Sequence, residues 1–232
     1  MTDSWMKLFV DLLPGLALSL GLTASLLAVG LPLGLLFAIG LGQKSRILRG
    51  TAIAVVEFAR GVPALILLYL VYFGFPEFGV IIDSFPAAAI ALGFSFAGYV
   101  SEVFRSGLEA VGKGQHEAAA ALGLSSWTAF SKVVLPQAVK IVIPPLLGWS
   151  ISYFQATSLA FAIAVPELMS RAYVLATTNF AYLLILSLAA LLYAIVSIPL
   201  ANLAERLSRG RQLRRNPTSV PLASIKEGST HA

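Results

Sequence analysis

Two stretches of the chain carry residue types of nucleotide and metal chemistry, and neither completes its pattern. Gly107-Leu-Glu-Ala-Val-Gly112-Lys113-Gly114 approaches a phosphate-cradling loop. Such a loop needs a Ser or Thr after the lysine to reach Mg²⁺ and a strand before it, and this stretch has neither. His116-Glu117 opens a zinc-protease pattern, but position 120, where the second histidine belongs, is alanine. The chain has no cysteine and only two histidines, His116 and His231, which excludes disulfides, thiol catalysis and a histidine metal cluster. No nucleophile–base pair stands out, so no catalytic residue and no metal site is assigned. The remaining suggestive spacings are Glu57/Arg60 and Glu102/Arg105. Residues three apart share a helical face, so both read as structural ion pairs.

The elements that hold these residues follow from composition. Of 232 residues, 58% are hydrophobic and 12% charged; a soluble domain carries about a quarter charged residues. An ordinary cytosolic enzyme, a disordered regulator and a disulfide-stapled module are thereby excluded, leaving a chain whose solvent is mostly lipid. Uncharged stretches cover Leu12–Gln43, Gly61–Pro76, Ser84–Ser101, Ile141–Pro166 and Ala172–Ala204. A helix needs roughly 20 residues to cross the hydrocarbon, so the short second stretch is expected to share one helix with Thr51–Val56. The expectation is an all-α, polytopic membrane protein of about five spanning helices, because backbone polar groups in lipid must be satisfied within each segment. Gly30, Gly34 and Ala38 recur every four residues and permit close helix packing, and Pro32 should kink the first helix. The start of the chain has no basic region ahead of its long apolar run, so no cleavable signal peptide is expected.

Charge sets the orientation. With the N-terminus outside, fourteen of the sixteen Lys and Arg residues fall on the inner side, leaving Lys7 and Arg171 outside with Glu77, Asp83 and Glu167. That asymmetry predicts a cytoplasmic C-terminus. The net charge of +5 is thus better explained by a membrane than by nucleic acid. The cluster Arg206–Arg215 reads as an inner-face anchor able to meet anionic lipid. Residues 1–208 form the expected membrane domain and 209–232 a basic, disordered tail, polar and proline-containing from Asn216.

One segment does not look like membrane. Glu102 to Lys140 is rich in charge between two apolar spans. Within it His116–Leu122 is alanine-rich and helix-forming, Gly123 breaks it, Ser125 or Ser126 can cap a second short helix, and Pro136 suits the first turn of the next. Two short helices joined at a glycine turn, a hairpin over about 112–135, make a lever on the inner face.

The lever carries a motif: Glu117-Ala118-Ala119-Ala120-Ala121-Leu122-Gly123, then Val134-Leu135-Pro136. It resembles the EAA loop of the membrane-spanning subunits of ATP-binding-cassette importers. Small alanines let a helix lie flush in a partner's groove, Glu117 offers charge to its rim, and Gly123 permits the tight reversal. The flanks narrow the resemblance. Glu57-Phe-Ala-Arg60-Gly61-Val-Pro63, Tyr69 to Gly74 (YLVYFG) and Tyr99-Val-Ser-Glu102-Val-Phe-Arg105-Ser-Gly107 look like the polar-amino-acid permeases of this superfamily, the histidine/glutamine permease-like group. Leu135-Pro-Gln-Ala138, Pro144-Pro145, Thr157-Ser158-Leu159 and Val165-Pro-Glu-Leu168 follow in that family's order. The resemblance covers roughly residues 10 to 208.

The resemblance implies the fold of a type I importer permease with a cytoplasmic coupling hairpin, in a bacterial plasma membrane. It implies a second permease chain, two ATPase subunits that dock the levers, and a substrate-binding protein outside. No cofactor belongs to this chain, since ATP and Mg²⁺ would sit on the ATPases, and no nucleic acid is involved. Glu117, Ala118, Ala119, Gly123 and Pro136 are the coupling residues so implied. Ser95, Tyr99, Gln155, Thr157 and Ser158 are the candidates for the substrate pathway, because polar groups deep in a membrane need a reason; interhelical hydrogen bonding is their alternative role. Here the chain departs from the family. Gln155-Ala156 replaces the usual Lys-Asp, and Ser95-Phe96-Ala97-Gly98 replaces Asn-Ser-Gly-Ala. An acid at position 156 could pair with a substrate ammonium; Ala156 cannot. Either a sister subunit carries the site, or the substrate is not an ordinary α-amino acid. An ATP-independent secondary transporter or channel is the alternative function, and its inverted repeats and buried ionisable residues are not evident.

Overall fold

A computed structural model describes residues 2–215, and among them the only regular structure is helical. The helices are α1 (Thr2–Leu41), α2 (Arg46–Gly61), α3 (Ala64–Tyr69), α4 (Ser84–Glu109), α5 (Lys113–Ala121), α6 (Ser126–Ala129), α7 (Leu135–Ala156), α8 (Leu168–Asn179) and α9 (Tyr182–Arg215). A π-helical turn, Leu70–Gly74, and a 3₁₀ turn, Phe75–Phe78, prolong α3. Another π-helical turn, Phe130–Val134, joins α6 to α7, and the 3₁₀ segment Thr157–Ile163 prolongs α7.

Four segments are long and apolar enough to cross a membrane: Met6–Leu41, Ser84–Glu109, Ser126–Ile163 and Tyr182–Ser208. The fifth expected span differs. α2 and the Ala64–Phe78 segment meet at 102°, so Thr51–Val56 does not continue into Gly61–Pro76. The cause is local: Pro63 disfavours helical backbone at the residue before it, and Val62 is extended with φ −85° and ψ 130°. Counted as one bent segment, the two arms bring the candidate spans from four to five.

The last uncharged stretch is not one helix either. α8 covers only twelve residues, roughly 18 Å at 1.5 Å each, too short to cross. It ends where Phe180 takes the left-handed conformation with φ 52°, and the Ala181 N–H closes on the Ala176 carbonyl at 3.2 Å. α9 starts afresh and stays helical through Arg215, so residues 209–215 belong to it rather than to a disordered tail; Arg, Gln and Leu all favour helix there. The rest of that tail, 216–232, lies outside the described residues.

α4 is the central pillar. Of its most apolar stretch 72% is buried, against 22% for each of the other three spans. The main core gathers Leu22 and Leu26 of α1, Leu67 and Leu68 of α3, Leu92 and Phe96 of α4 and Tyr153 of α7. A second core joins Leu12 of α1 to Leu168, Ala172 and Ala176 of α8 and to Ile185, Ala189 and Leu192 of α9. α1 runs as one helix through both Pro14 and Pro32. Its glycines explain how it reaches α4. A methyl on Gly30 would stand 2.7 Å from the Gly93 carbonyl oxygen and 2.6 Å from the Phe96 ring, and one on Gly34 2.5 Å from Val100. Gly93 replies from α4, where a methyl would come within 3.1 Å of the Leu26 carbonyl. Lipid supplies no hydrophobic drive between helices, so this backbone-to-backbone fit holds the pair through dispersion.

Gly30→Leu should therefore destabilise the chain by about 1–3 kcal/mol through overpacking. Gly21→Leu, where a methyl meets nothing within 4 Å, should change stability by less than about 0.5 kcal/mol. Thermal melting of the two variants in detergent, followed by fluorescence-detected size exclusion, checks the contrast.

Candidate coupling and translocation site

The α5–α6 hairpin is built as the residue pattern requires. The Leu122 N–H closes α5 on the Ala118 carbonyl, and Gly123 turns the chain with φ 71°, a conformation that strains any residue with a Cβ. Ser125 caps α6, its Oγ accepting from the Thr128 N–H at 3.2 Å. Pro136 lies in the first turn of α7, where no N–H is required. Glu117 and Ala118 face outward, whereas Ala119 is turned in and buried.

Two apolar side chains on this hairpin were not singled out from the sequence. Leu122 is 79% exposed and Trp127 74% exposed. A tryptophan standing free in a charged segment was the available signal, because aromatic residues concentrate in protein interfaces. The hairpin is also fastened to the bundle. The Gln137 side-chain amide donates to the Gln115 side-chain oxygen Oε1 at 3.1 Å, and Val111, Val134 and Ala138 form a small core with Phe130 and Ile141. Gly107, part of the incomplete phosphate loop, lies flat against Val142 of α7. Its role is packing α4 on α7; the hairpin follows α4 in the chain through Ala110–Gly112 and is held in place against α7.

The substrate-pathway candidates do not converge on one point. Ser95 is buried and its hydroxyl meets that of Tyr153 at 2.7 Å, joining α4 to α7. Tyr99 donates to the Arg60 carbonyl at 3.1 Å and stacks on Trp149 with ring centroids 4.3 Å apart. Gln155 faces the other way, its amide donating to Ser197 of α9 at 3.3 Å. Thr157 and Ser158 bond backward to the carbonyls of Phe154 and Gln155, which favours the turn from α-helix to 3₁₀ geometry. Each polar group thus has a partner within the chain, three of them on a neighbouring helix. Ala156 lies between these two sets.

The two predicted ion pairs are one ladder. Arg60 lies 3.9 Å from both Glu57 and Glu102, and Arg105 pairs with Glu102 at 2.8 Å and with Glu109 at 2.7 Å. The Arg60–Glu102 contact crosses from α2 to α4, and Glu109 was not among the expected members. All five side chains are partly exposed, so each pair contributes little alone; the ladder fixes how the C-terminal ends of α2 and α4 meet.

Glu167, expected in an outer loop, is fully buried. It caps α8, accepting from the Met169 and Ser170 N–H groups at 2.9 and 2.8 Å, from the Tyr193 hydroxyl at 2.9 Å and from Ser19 at 3.2 Å. Ser19 in turn accepts from the Leu168 N–H at 3.1 Å. A carboxylate with four donors offsets its desolvation and ties α1, α8 and α9 together. Nothing in the sequence links positions 19, 167 and 193, so only the fold reveals the junction.

A family model described as "Binding-protein-dependent transport system inner membrane component" matches residues 30–212. The chain belongs to this family. It is 37% identical over 197 residues to a probable amino-acid ABC transporter permease of Bacillus subtilis (strain 168), YckA, covering 83% of this chain and 87% of that one. To the L-cystine transport system permease TcyB of the same organism it is 34% identical, with 84% of each chain covered. The crystal structure of an amino acid ABC transporter with histidines superposes with a TM-score of 0.80 at 28% identity, covering 90% of this chain and 96% of that one.

The protein is therefore a permease subunit of an amino-acid ABC importer, a multi-pass inner-membrane chain whose ATP hydrolysis lies on partner subunits. That assignment displaces the ATP-independent alternative. In this permease Glu167→Ala should cost about 3 kcal/mol or more, because it strands buried hydroxyl and N–H donors together. Glu167→Gln, which keeps an acceptor oxygen, should cost less. Melting temperatures that match the parent for both variants would remove Glu167 from its anchoring role.

Proposed function

We propose that this permease forms a translocation pathway for a polar amino acid or an amino-acid-like solute, driven by ATPase subunits that grip the α5–α6 hairpin. The N-terminus lies outside and the C-terminus in the cytoplasm. A second permease chain, the same or a sister, completes the pathway, two ATPase subunits dock below, and a substrate-binding protein delivers from outside. Nucleotide and Mg²⁺ belong to the ATPases and no cofactor to this chain.

The observation that carries this reading is the hairpin itself: a capped, glycine-turned pair of helices with exposed Glu117, Leu122 and Trp127, continuous in the chain with α4 and fastened to α7. Leu122 and Trp127 fit a partner's cleft as apolar anchors, Ala118 permits close approach, and Glu117 meets a rim of cations or N–H groups. Ala119 supports the hairpin from within. Closure of the ATPases moves the hairpin, and its attachments pass that movement to the two helices bearing Ser95, Tyr99 and Gln155. The inner ladder, Glu57–Arg60–Glu102–Arg105, holds α2 to α4 during that movement.

The pathway lies along Ser95, Tyr99, Gln155, Thr157 and Ser158. Exchange of the Ser95–Tyr153 and Gln155–Ser197 bonds for bonds to solute would free these groups as the helices part. With Ala156 where an acid would grip an ammonium, this chain recognises solute weakly by itself. A sister permease supplies the missing charge, or the solute lacks a primary ammonium.

Gly123→Val strains the turn by about 1–3 kcal/mol and should abolish uptake in reconstituted vesicles while ATP hydrolysis persists. Trp127→Ala should weaken retention of the ATPase subunits about 30-fold or more, measured by surface plasmon resonance on the immobilised permease. Normal coupling in both variants removes the lever. Ala156→Asp should restore binding of a primary amino acid to complexes built from this chain alone. Full uptake by the unaltered chain without a sister removes the heterodimer reading.

A further inference from the structure

The Glu167 junction leaves one charge over. Arg171 stands one turn further along α8, yet the carboxylate is already engaged by Ser19, Tyr193 and two backbone N–H groups. Among the described residues Arg171 makes no ion pair within 4.0 Å, and its Nε is buried without a hydrogen-bond partner. It lines a cleft of about 480 Å³ together with Asp11 of α1, which likewise makes no ion pair among the described residues. Val10, Pro14, Pro166 and Leu175 supply apolar walls.

The cleft is held by packing. A methyl on Gly15 would stand 2.8 Å from Arg171 Cδ and 2.9 Å from Leu168 Cα, so the glycine lets α1 seat the arginine stem. The Glu167 cap fixes the first turn of α8, and Leu12 and Leu168 pack beneath in the second core. Two opposite charges thus line one half-apolar cavity without meeting, a gap that a molecule of the reverse polarity can bridge. The guanidinium fork suits a carboxylate or a phosphate, and apolar walls strengthen both attractions by keeping the local dielectric low.

We propose that this cleft binds a small zwitterion, its anionic oxygens on Arg171 and its ammonium on Asp11. A free amino acid and the headgroup of phosphatidylethanolamine share that chemistry. The site is separate from the hairpin, since Pro14 lies 27 residues before Leu41 on α1, roughly 40 Å along the helix. It is separate also from Ser95 and Tyr153, which belong to the main core. It does not depend on the proposed pathway or lever, because binding alone is measured.

The test uses the full chain assembled with its partner subunits in detergent, and native mass spectrometry or calorimetry as readout. The probes are dihexanoyl-phosphatidylethanolamine, dihexanoyl-phosphatidylglycerol (anionic without an ammonium) and free alanine. At least one zwitterion should bind saturably, and phosphatidylglycerol about tenfold more weakly or worse. Arg171→Gln and Asp11→Asn should each weaken the zwitterion about tenfold or more. Gly15→Ala, which keeps both charges but presses on the arginine stem, should weaken it too. Saturation by phosphatidylethanolamine alone supports the site with lipid as its source, and by alanine alone with a soluble solute as its source. The proposal is overturned if neither zwitterion binds the unaltered complex, if phosphatidylglycerol binds equally well, or if both charge variants bind as the parent does. Alanine counts only where Arg171→Gln or Asp11→Asn weakens it, since the proposed pathway also takes an amino acid; the contrast of phosphatidylethanolamine with phosphatidylglycerol on the unaltered complex decides the matter where a variant fails to assemble.

Discussion

Where α1 crosses α4, two backbones touch with almost no side chain between them. Gly30 and Gly34 on one helix and Gly93 on the other make that possible, since a single methyl at any of them would press on the facing helix. In water, burial of apolar surface would hold the pair; in lipid that drive is absent, and close fit must replace it. The contact sets α4 at the centre, and the rest of the architecture is arranged around it. α2, α3 and α7 all pack against this pillar, and the C-terminal end of α4 leads directly into the hairpin.

Polar groups then mark the places where helices must not slide. Near one end of the bundle the buried Glu167 collects donors from α1, α8 and α9. Near the other, Arg60 joins α2 to Glu102 of α4, and Arg105 extends the ladder to Glu109. The two devices differ in consequence. A buried carboxylate with four donors is costly to disturb, whereas half-exposed ion pairs exchange with water cheaply. The Glu167 end is therefore the fixed end and the ladder end the adjustable one, which suits the proposed drive from the hairpin side.

Between the two ends, the Ser95–Tyr153 and Gln155–Ser197 bonds satisfy polar side chains that would otherwise face lipid unpaired. In the proposed pathway the same groups serve solute once the helices separate, so structural pairing and passage would be successive uses of one set of side chains. The broken span at Val62–Pro63 and the 3₁₀ segment after Ala156 bring irregular backbone into the bundle. Such backbone is tolerated at membrane depth only where protein or a water-filled path covers it.

Composition and charge spacing alone determined that the chain is helical and membrane-spanning, because the need to satisfy backbone groups in lipid leaves one local solution. The hairpin was equally legible: alanines, Gly123, Ser125 and Pro136 each act through their own backbone, with no distant partner required. The Glu57/Arg60 and Glu102/Arg105 pairs could be read from helical spacing, but their union could not, since it depends on how α2 meets α4. The single second span failed because Pro63 acts on Val62 more strongly than hydropathy acts on the whole stretch. The fifth stretch divides into α8 and the spanning α9 because an absence of charge says nothing about the turn at Phe180. Glu167 was placed outside on charge alone; its burial follows from Ser19 and Tyr193, more than a hundred positions before it and 26 after. The cleft that Asp11 and Arg171 share has the same origin. Interactions carried by neighbours along the chain are written in residue order, while those carried by neighbours in space exist only once the helices have packed.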